Sequence, residues 1–229
     1  MIEATYLSHM GDDLAVANAA RVSFAKHAER FRDQDARLLR FLARNGHWTP
    51  FGHPQVSLRC RAPIFTARQA FKSKVGFVEN EVSRRYVDAP PEFFMPDRWR
   101  GRAEDKKQGS SDVDVLYVQL DPGVNVPPSL VVEDCYRTCR ETYHALIQGG
   151  VAPEQARMVL PQAMMTEWVW TGSLAAFARF CRLRQAKDAQ AEISELAWRV
   201  ADVLGRLFPV SWAVLSGCEL QSVAEGDAA

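Results

Sequence analysis

The chain has 229 residues, 47% of them apolar, with 28 basic against 28 acidic side chains, so it can bury a sizeable core without disulfide or metal staples. A neutral balance argues against a general nucleic-acid or anionic-membrane surface, which needs a basic excess, while leaving room for a local basic pocket. No apolar run is long enough to span a bilayer and Met1-Ile2-Glu3 opens no secretory signal, so a cytoplasmic protein with no membrane and no nucleic-acid partner is expected.

Alternation over residues 2–8 predicts a first strand, after which Asp12 or Asp13 can cap a short helix through Ala20. A helix follows from Asp33 with Leu38, Leu39, Phe41 and Leu42 on one side, and Asn45-Gly46 ends it. The loop at 46–54 holds His47 and His53, whose spacing suits neither a helical zinc pair nor a zinc finger. Val56, Leu58 and Cys60 alternate with polar residues, as in a strand with one face in the core, and Pro63 opens a helix from Ile64 to about Lys72. Gly76 then turns the chain into Asn80-Glu81-Val82-Ser83-Arg84-Arg85-Tyr86, read as an extended strand that puts Glu81, Ser83 and Arg85 on one face.

Residues 88–111, rich in proline and aromatics and then in lysine, read as an irregular or mobile excursion. Pro127 and Pro128 open a long helix to about Gln148, halted by Gly149-Gly150, and a short helix from Ala152 carries Arg157 to near Pro161. Residues 164–171 read as a buried strand closed by Gly172. Ser173 caps the next helix, where Leu174, Phe177 and Cys181 have helical spacing and Arg179, Arg182 and Arg184 crowd the C-terminal part. A last long helix from Asp188 aligns Ile193, Leu196, Val200, Leu204 and Leu207, stops before Pro209, and leaves a frayed tail after Ser222. With no repeat and no linker, one α/β domain over 1–229 is expected.

The phosphate-loop, dinucleotide, nucleophile-elbow and His-Glu-x-x-His patterns are all missing. The five cysteines are scattered, and Cys135 and Cys139, though on one helix face, have no nearby ligands to complete a zinc site, so free thiols and no metal are expected. What stands out is a supply of cationic and amide groups in a few segments: Arg68, Gln69, Lys72, Lys74, Arg85, Arg157, Arg179 and Arg184. Together with the Glu81, Ser83 and Arg85 row, they suit a phosphorylated small molecule or an anionic cofactor, because arginine offers a planar fork of donors. A solvated edge strand with a self-neutralising charge pair is the plainer alternative for that row.

The segment Asn80-Glu81-Val82-Ser83-Arg84-Arg85-Tyr86, preceded by Ala67-Arg68-Gln69, resembles the signature region of flavin-dependent thymidylate synthases, Arg-His-Arg followed by seven residues and Ser. Further similar blocks come in family order: Ala20-Arg21-Val22-Ser23-Phe24, His47-Trp48-Thr49-Pro50-Phe51, Ala156-Arg157-Met158, Leu183-Arg184, and Ala189-Gln190-Ala191-Glu192-Ile193. The resemblance implies an α+β fold, one domain whose mostly antiparallel central sheet is flanked by long helices. It also implies a homotetramer whose active sites are shared between subunits. The implied reaction is reductive C5-methylation of a uridine monophosphate, dUMP or UMP, with methylenetetrahydrofolate as carbon donor, tightly bound FAD and NADPH as reductant.

Carried across residue by residue, Gln69, Lys72, Glu81, Ser83, Arg84, Arg85, Arg157 and Arg184 match substrate positions, with Arg184 placed catalytically at the uracil edge. Ser23, His47, Thr49, Ser73, Lys74, Glu81, Ser173 and Arg179 match flavin positions. The chain departs from the pattern at Lys72-Ser73-Lys74, which replaces Arg-His-Arg, and one extra residue precedes Ser83. These departures keep charge but lose the forked donors and the imidazole. They suit a divergent member, such as a phage-type enzyme or an antibiotic-pathway UMP/dUMP methylase. A non-catalytic nucleotide-binding paralogue without flavin is the alternative they raise.

Overall fold

The computed structural model describes residues 1–87, 89–103 and 109–217. The expectations for Lys106, Lys107, Cys218 and the tail beyond Ser222 lie outside them. Strand Glu3–Met10 (β1) leads to helix Asp13–Arg21 (α1), which starts where the Asp12 carboxylate accepts the Ala15 N–H at 2.8 Å. Helix Asp33–Arg44 (α2) is followed by strand Gln55–Pro63 (β2), which runs directly into helix Ile64–Ala70 (α3). After a turn at Gly76, whose φ of 82° favours glycine, comes strand Phe77–Glu81 (β3).

Two small hairpins follow, Arg100–Arg102 (β4) with Ser110–Asp114 (β5), and Val118–Asp121 (β6) with Val124–Val126 (β7). Beyond them lie helices Pro128–Gln148 (α4) and Pro153–Ala156 (α5), strand Met165–Ser173 (β8), and helices Leu174–Arg184 (α6), Ala191–Leu207 (α7) and Pro209–Ser216 (α8).

The central sheet has the order β1-β2-β8-β3 and every pairing is antiparallel, with Leu58 opposite Trp170 and Cys60 opposite Trp168. Period-two alternation buries Val56, Leu58, Cys60 and Ala62 completely on one face of β2, and Trp168 and Trp170 join them from β8. Onto that face α7 lays Ile193, Leu196, Val200 and Leu204, all fully buried, and α6 adds Leu174, Phe177 and Phe180. The Phe77 ring stacks on Trp170 with centroids 4.4 Å apart and meets Phe177 edge-on, which locks β3 to the core. The opposite face of the sheet is polar: the Ser57 and Thr171 hydroxyls share a hydrogen bond of 2.8 Å, and Arg59 pairs with Glu167 at 3.6 Å. The α+β architecture expected from the sequence is therefore present.

Three expectations are corrected. The strand read over 80–86 ends at Glu81, and the chain turns where the Tyr86 N–H donates to the Ser83 carbonyl at 3.0 Å. Ser83 Oγ also accepts from the Arg85 N–H and from Arg85 Nε at 3.2 Å, a local alternative to the ladder that serine often offers. Glu81, Ser83 and Arg85 thus do not form a row on one strand face. The excursion expected as irregular over 88–111 contributes β4 and part of a hairpin. Helix α8, beyond the last helix expected from the sequence, carries buried Ser211, Trp212 and Val214. Among the described residues no helix is long and apolar enough to cross a membrane.

Candidate functional site

Because α3 starts at the very end of β2, its first two turns lie beside the N-terminal end of β8 and the C-terminal end of β3. Between them is a cavity of about 660 Å³, lined by Ile64 and Ala67 of α3, by Phe71 just after it, and by Met164, Met165 and Thr166. Its charged rim is supplied by Arg68, Glu81, Arg84, Glu154 and Arg157, three guanidiniums against two carboxylates. Glu81 is oriented by Thr166, whose hydroxyl donates to Glu81 Oε1 at 2.7 Å, leaving its other oxygen able to accept from a ligand. Arg157 is steadied through Nε, which donates to the Glu154 carbonyl at 3.3 Å.

Arg84 is the least satisfied of these groups. Its guanidinium lies over the Tyr143 ring of α4, 5.5 Å from the centroid, yet Nε and Nη2 are buried with no hydrogen-bond partner among the described residues. Unpaired donors on a buried cation are expensive unless a ligand fills them. The arrangement suits a dianionic group such as phosphate, which takes two parallel N–H donors from one guanidinium.

A second cluster forms where α3 meets the turn between α6 and α7. Arg184 Nη2 donates to the Gln69 carbonyl at 3.3 Å, and Arg184 Nε is buried without a partner. The Gln69 side-chain amide donates to the Gln190 side chain, Gln190 Nε2 donates to Glu192 at 2.9 Å, and Arg100 Nη2 from β4 donates to Glu192 at 2.6 Å. Burial works against ionising Glu192, but the hydrogen bonds from Arg100 and Gln190 win and hold its carboxyl below the ordinary glutamate range. Gln190 and Glu192 belong to a segment quoted for the family resemblance, but the sequence offered no reason to assign them roles. Only the bond from Arg100 to Glu192, 92 positions away, and the Gln190 bonds that continue from it bring them to notice.

The structure therefore gathers some of the anticipated site residues and separates others. Glu81, Arg84 and Arg157 meet at the cavity, joined by Arg68, which the sequence had placed among the cationic groups without a site role. Gln69 and Arg184 meet each other. Ser83 and Arg85 are engaged with one another in the exposed turn. Lys72 and Ser73 occupy the turn after α3, while Lys74 pairs with Glu79 and lies 5.8 Å from the Phe71 ring centroid. Ser173 is buried and caps α6, accepting the Ala176 N–H at 3.2 Å, and Arg179 donates to the Val75 carbonyl. Ser23, His47 and Thr49 are exposed at a different end, in and beside short 3-10 turns, with the Phe41 ring 6.1 Å from that of His47 and Trp48 65% exposed.

Burial pushes the thiols of Cys60 and Cys181 far up, well out of the range of a nucleophilic thiolate. Among the described residues no group of three His, Cys, Asp or Glu side chains is placed to hold a metal ion.

The family model for thymidylate synthase complementing proteins matches residues 5–210. A flavin-dependent thymidylate synthase of Thermus thermophilus is 36% identical over 207 residues, covering 90% of this chain and 73% of that protein. The Thermosipho africanus flavin-dependent thymidylate synthase is 34% identical over 200 residues, covering 87% and 84% respectively. Among solved structures, the UMP/dUMP methylase PolB from Streptomyces cacaoi, bound with 5-Br dUMP, superposes with a TM-score of 0.79 at 27% identity over 95% of both chains. The same methylase bound with 5-Br UMP gives a TM-score of 0.74.

Proposed function

The chain belongs to the thymidylate synthase complementing protein family, and from that premise we propose that it is a flavin-dependent enzyme methylating C5 of a uridine monophosphate, dUMP or UMP. The observation that carries the reading is the gathering of Arg68, Arg84 and Arg157 around one cavity, with two Arg84 nitrogens left without partners among the described residues, a concentration of positive charge suited to an anion. The nucleotide phosphate meets these guanidiniums. The oxygen of Glu81 not engaged by Thr166 accepts a sugar hydroxyl. Ser83 and Arg85 close the turn over the phosphate, and Lys72 adds charge from the end of α3.

Arg184 is assigned to the uracil edge, where a fixed cation favours the N3-ionised ring and so raises electron density at C5. Ser83 acts as a hydrogen-bonding group, since no base adjoins it, and the elevated thiols of Cys60 and Cys181 fit a reaction without a cysteine nucleophile.

The groups at the exposed end fit a flavin in chemical character: His47 lies beside the exposed Phe41 ring, Trp48 offers a second exposed aromatic surface, and Ser23 and Thr49 add exposed hydroxyls. Ser73, Lys74, Glu81, Ser173 and Arg179 would complete its surroundings. When bound, flavin supplies the reducing equivalents of the methylation. Methylenetetrahydrofolate as carbon donor and NADPH as the ultimate reductant rest on the family resemblance.

The anticipated residues are spread over separate faces of one chain, which supports a homotetramer in which neighbouring subunits bring them together. The decisive experiment is tritium release from 5-tritiated dUMP and UMP run in parallel. Release that depends on FAD and reductant is expected with at least one of the two, and no release from either would overturn the reading.

A further inference from the structure

The polarity of the hydrogen bonds between β4 and α3 is fixed from one end. Arg100 can only donate, and ionised Glu192 can only accept. Glu192 therefore takes one bond from Arg100 at 2.6 Å and must be met by the NH₂ end of the Gln190 amide, at 2.9 Å. That leaves the Gln190 oxygen facing Gln69, so Gln69 must answer with its own NH₂. By elimination the Gln69 side-chain oxygen points away from the chain of bonds, and it has no hydrogen-bond partner among the described residues. It lies on the residue whose carbonyl receives Arg184. A free amide cannot choose between presenting oxygen or nitrogen, but an amide wired to a buried carboxylate can.

We propose that Arg100, Glu192 and Gln190 are positioning residues that hold the Gln69 amide with its oxygen outward, so that the nucleotide meets a fixed acceptor beside the Arg184 guanidinium. The matching chemistry on the ligand is an O–H or N–H donor, a sugar hydroxyl or the pyrimidine imide. This rests on the assignment of Gln69 and Arg184 to the nucleotide site.

The relay predicts an unusual pattern of substitutions. Glu192→Gln is isosteric, and its amide can still accept from Arg100 while donating to Gln190. Both downstream amides then turn over, the number of bonds is unchanged, and Gln69 presents nitrogen where it had presented oxygen. Gln69→Glu alone places a carboxylate against the Gln190 oxygen and breaks the chain. Combined with Glu192→Gln, however, it receives the turned Gln190 amide and again shows an oxygen outward. The pair moves one carboxylate along the relay without changing its charge.

The test is calorimetric titration of dUMP into the FAD-supplemented full chain, with thermal melts as a control on folding. Each single variant should bind about tenfold more weakly than the parent, the scale of one lost or reversed hydrogen bond to a ligand, and the double variant should recover most of that loss. Equal affinity in the parent and Glu192→Gln overturns the relay, as does a double variant no better than the weaker single one. If the parent itself fails to bind dUMP, the nucleotide assignment falls first and takes the relay with it. Repeating the titration with UMP and with dUMP methylated at N3 locates the donor: loss of the difference between parent and Glu192→Gln on N3-methylation identifies the imide, and its persistence identifies the sugar.

Discussion

At the scale of single residues, Arg84 and Arg184, two of the four arginines with orphaned buried nitrogens among the described residues, have different surroundings. Arg84 lines a cavity together with the guanidiniums of Arg68 and Arg157, and its Nε and Nη2 are buried without hydrogen-bond partners among the described residues. Arg184 sits apart from that cavity, held by a backbone carbonyl, and its place beside Gln69 suits a cation that acts on charge developing in the ring. Arg184→Ala should therefore lower turnover by about a hundredfold or more, in line with removal of one electrostatic stabiliser, while flavin content measured by absorbance stays near that of the parent. Equal loss of both would reassign Arg184 to flavin retention. The Lys72-Ser73-Lys74 departure from the family pattern also looks different in three dimensions. Lys74 is paired with Glu79, and the forked donors missing from this turn are present at Arg68 and Arg84 of the cavity.

At the scale of elements, β3 is the strand that delivers Glu81, and its seat depends on one absent side chain. A Cβ on Gly172 would stand 2.3 Å from the Phe77 ring and 3.0 Å from the Gly76 carbonyl, both on elements that cannot swing aside. Gly172→Ala is expected to destabilise the protein by about 2 kcal/mol, seen as a fall of roughly 4–8 °C in a thermal melt, and to weaken dUMP binding by displacing β3. A melt unchanged from the parent would show that the Phe77 stack is softer than its geometry implies.

Much of this element layout was legible beforehand. The alternation of Val56, Leu58 and Cys60, the Asp12 and Ser173 caps, and the proline-to-glycine frame of α4 all act locally, so sequence alone exposes them. The end of β3 was not legible, because Ser83 can either extend a ladder or fold back on its neighbours, and strand-like spacing does not decide between them. The β6–β7 hairpin has a local turn signal in Pro122-Gly123, but its strands are too short to show a period of their own. The Gln69 to Arg100 connection was invisible for another reason: it joins three distant segments, and only the fold makes them neighbours.

At the scale of the whole molecule, the separated clusters define what assembly must accomplish. The purified protein should run in light scattering at four times its 25.7 kDa chain mass. If sites are composite, mixing inactive Arg84→Met subunits with inactive Arg184→Ala subunits should restore activity, since roughly one site in four then receives both intact contributions by random pairing. No recovery in demonstrably mixed oligomers would mean that both arginines of a site come from one chain. The exposed Phe24, Trp48, Met158 and Trp198 side chains offer apolar area for such contacts.

The buried Asp13 carboxylate, near the start of α1, accepts the Val210 N–H at 2.9 Å and the Ser211 N–H at 2.8 Å at the start of α8. It thereby satisfies free donors at the start of a helix whose Val210 lies 197 positions away in sequence. On the ribosome, the first helix is made early but must keep its charge hydrated until residues 210 and 211 have emerged. Docking of α8 is then the step that dehydrates Asp13, so closure of the N-terminal layer waits for α8. A chain released before residue 210 would retain most of its sheet residues while leaving this carboxylate without those two partners.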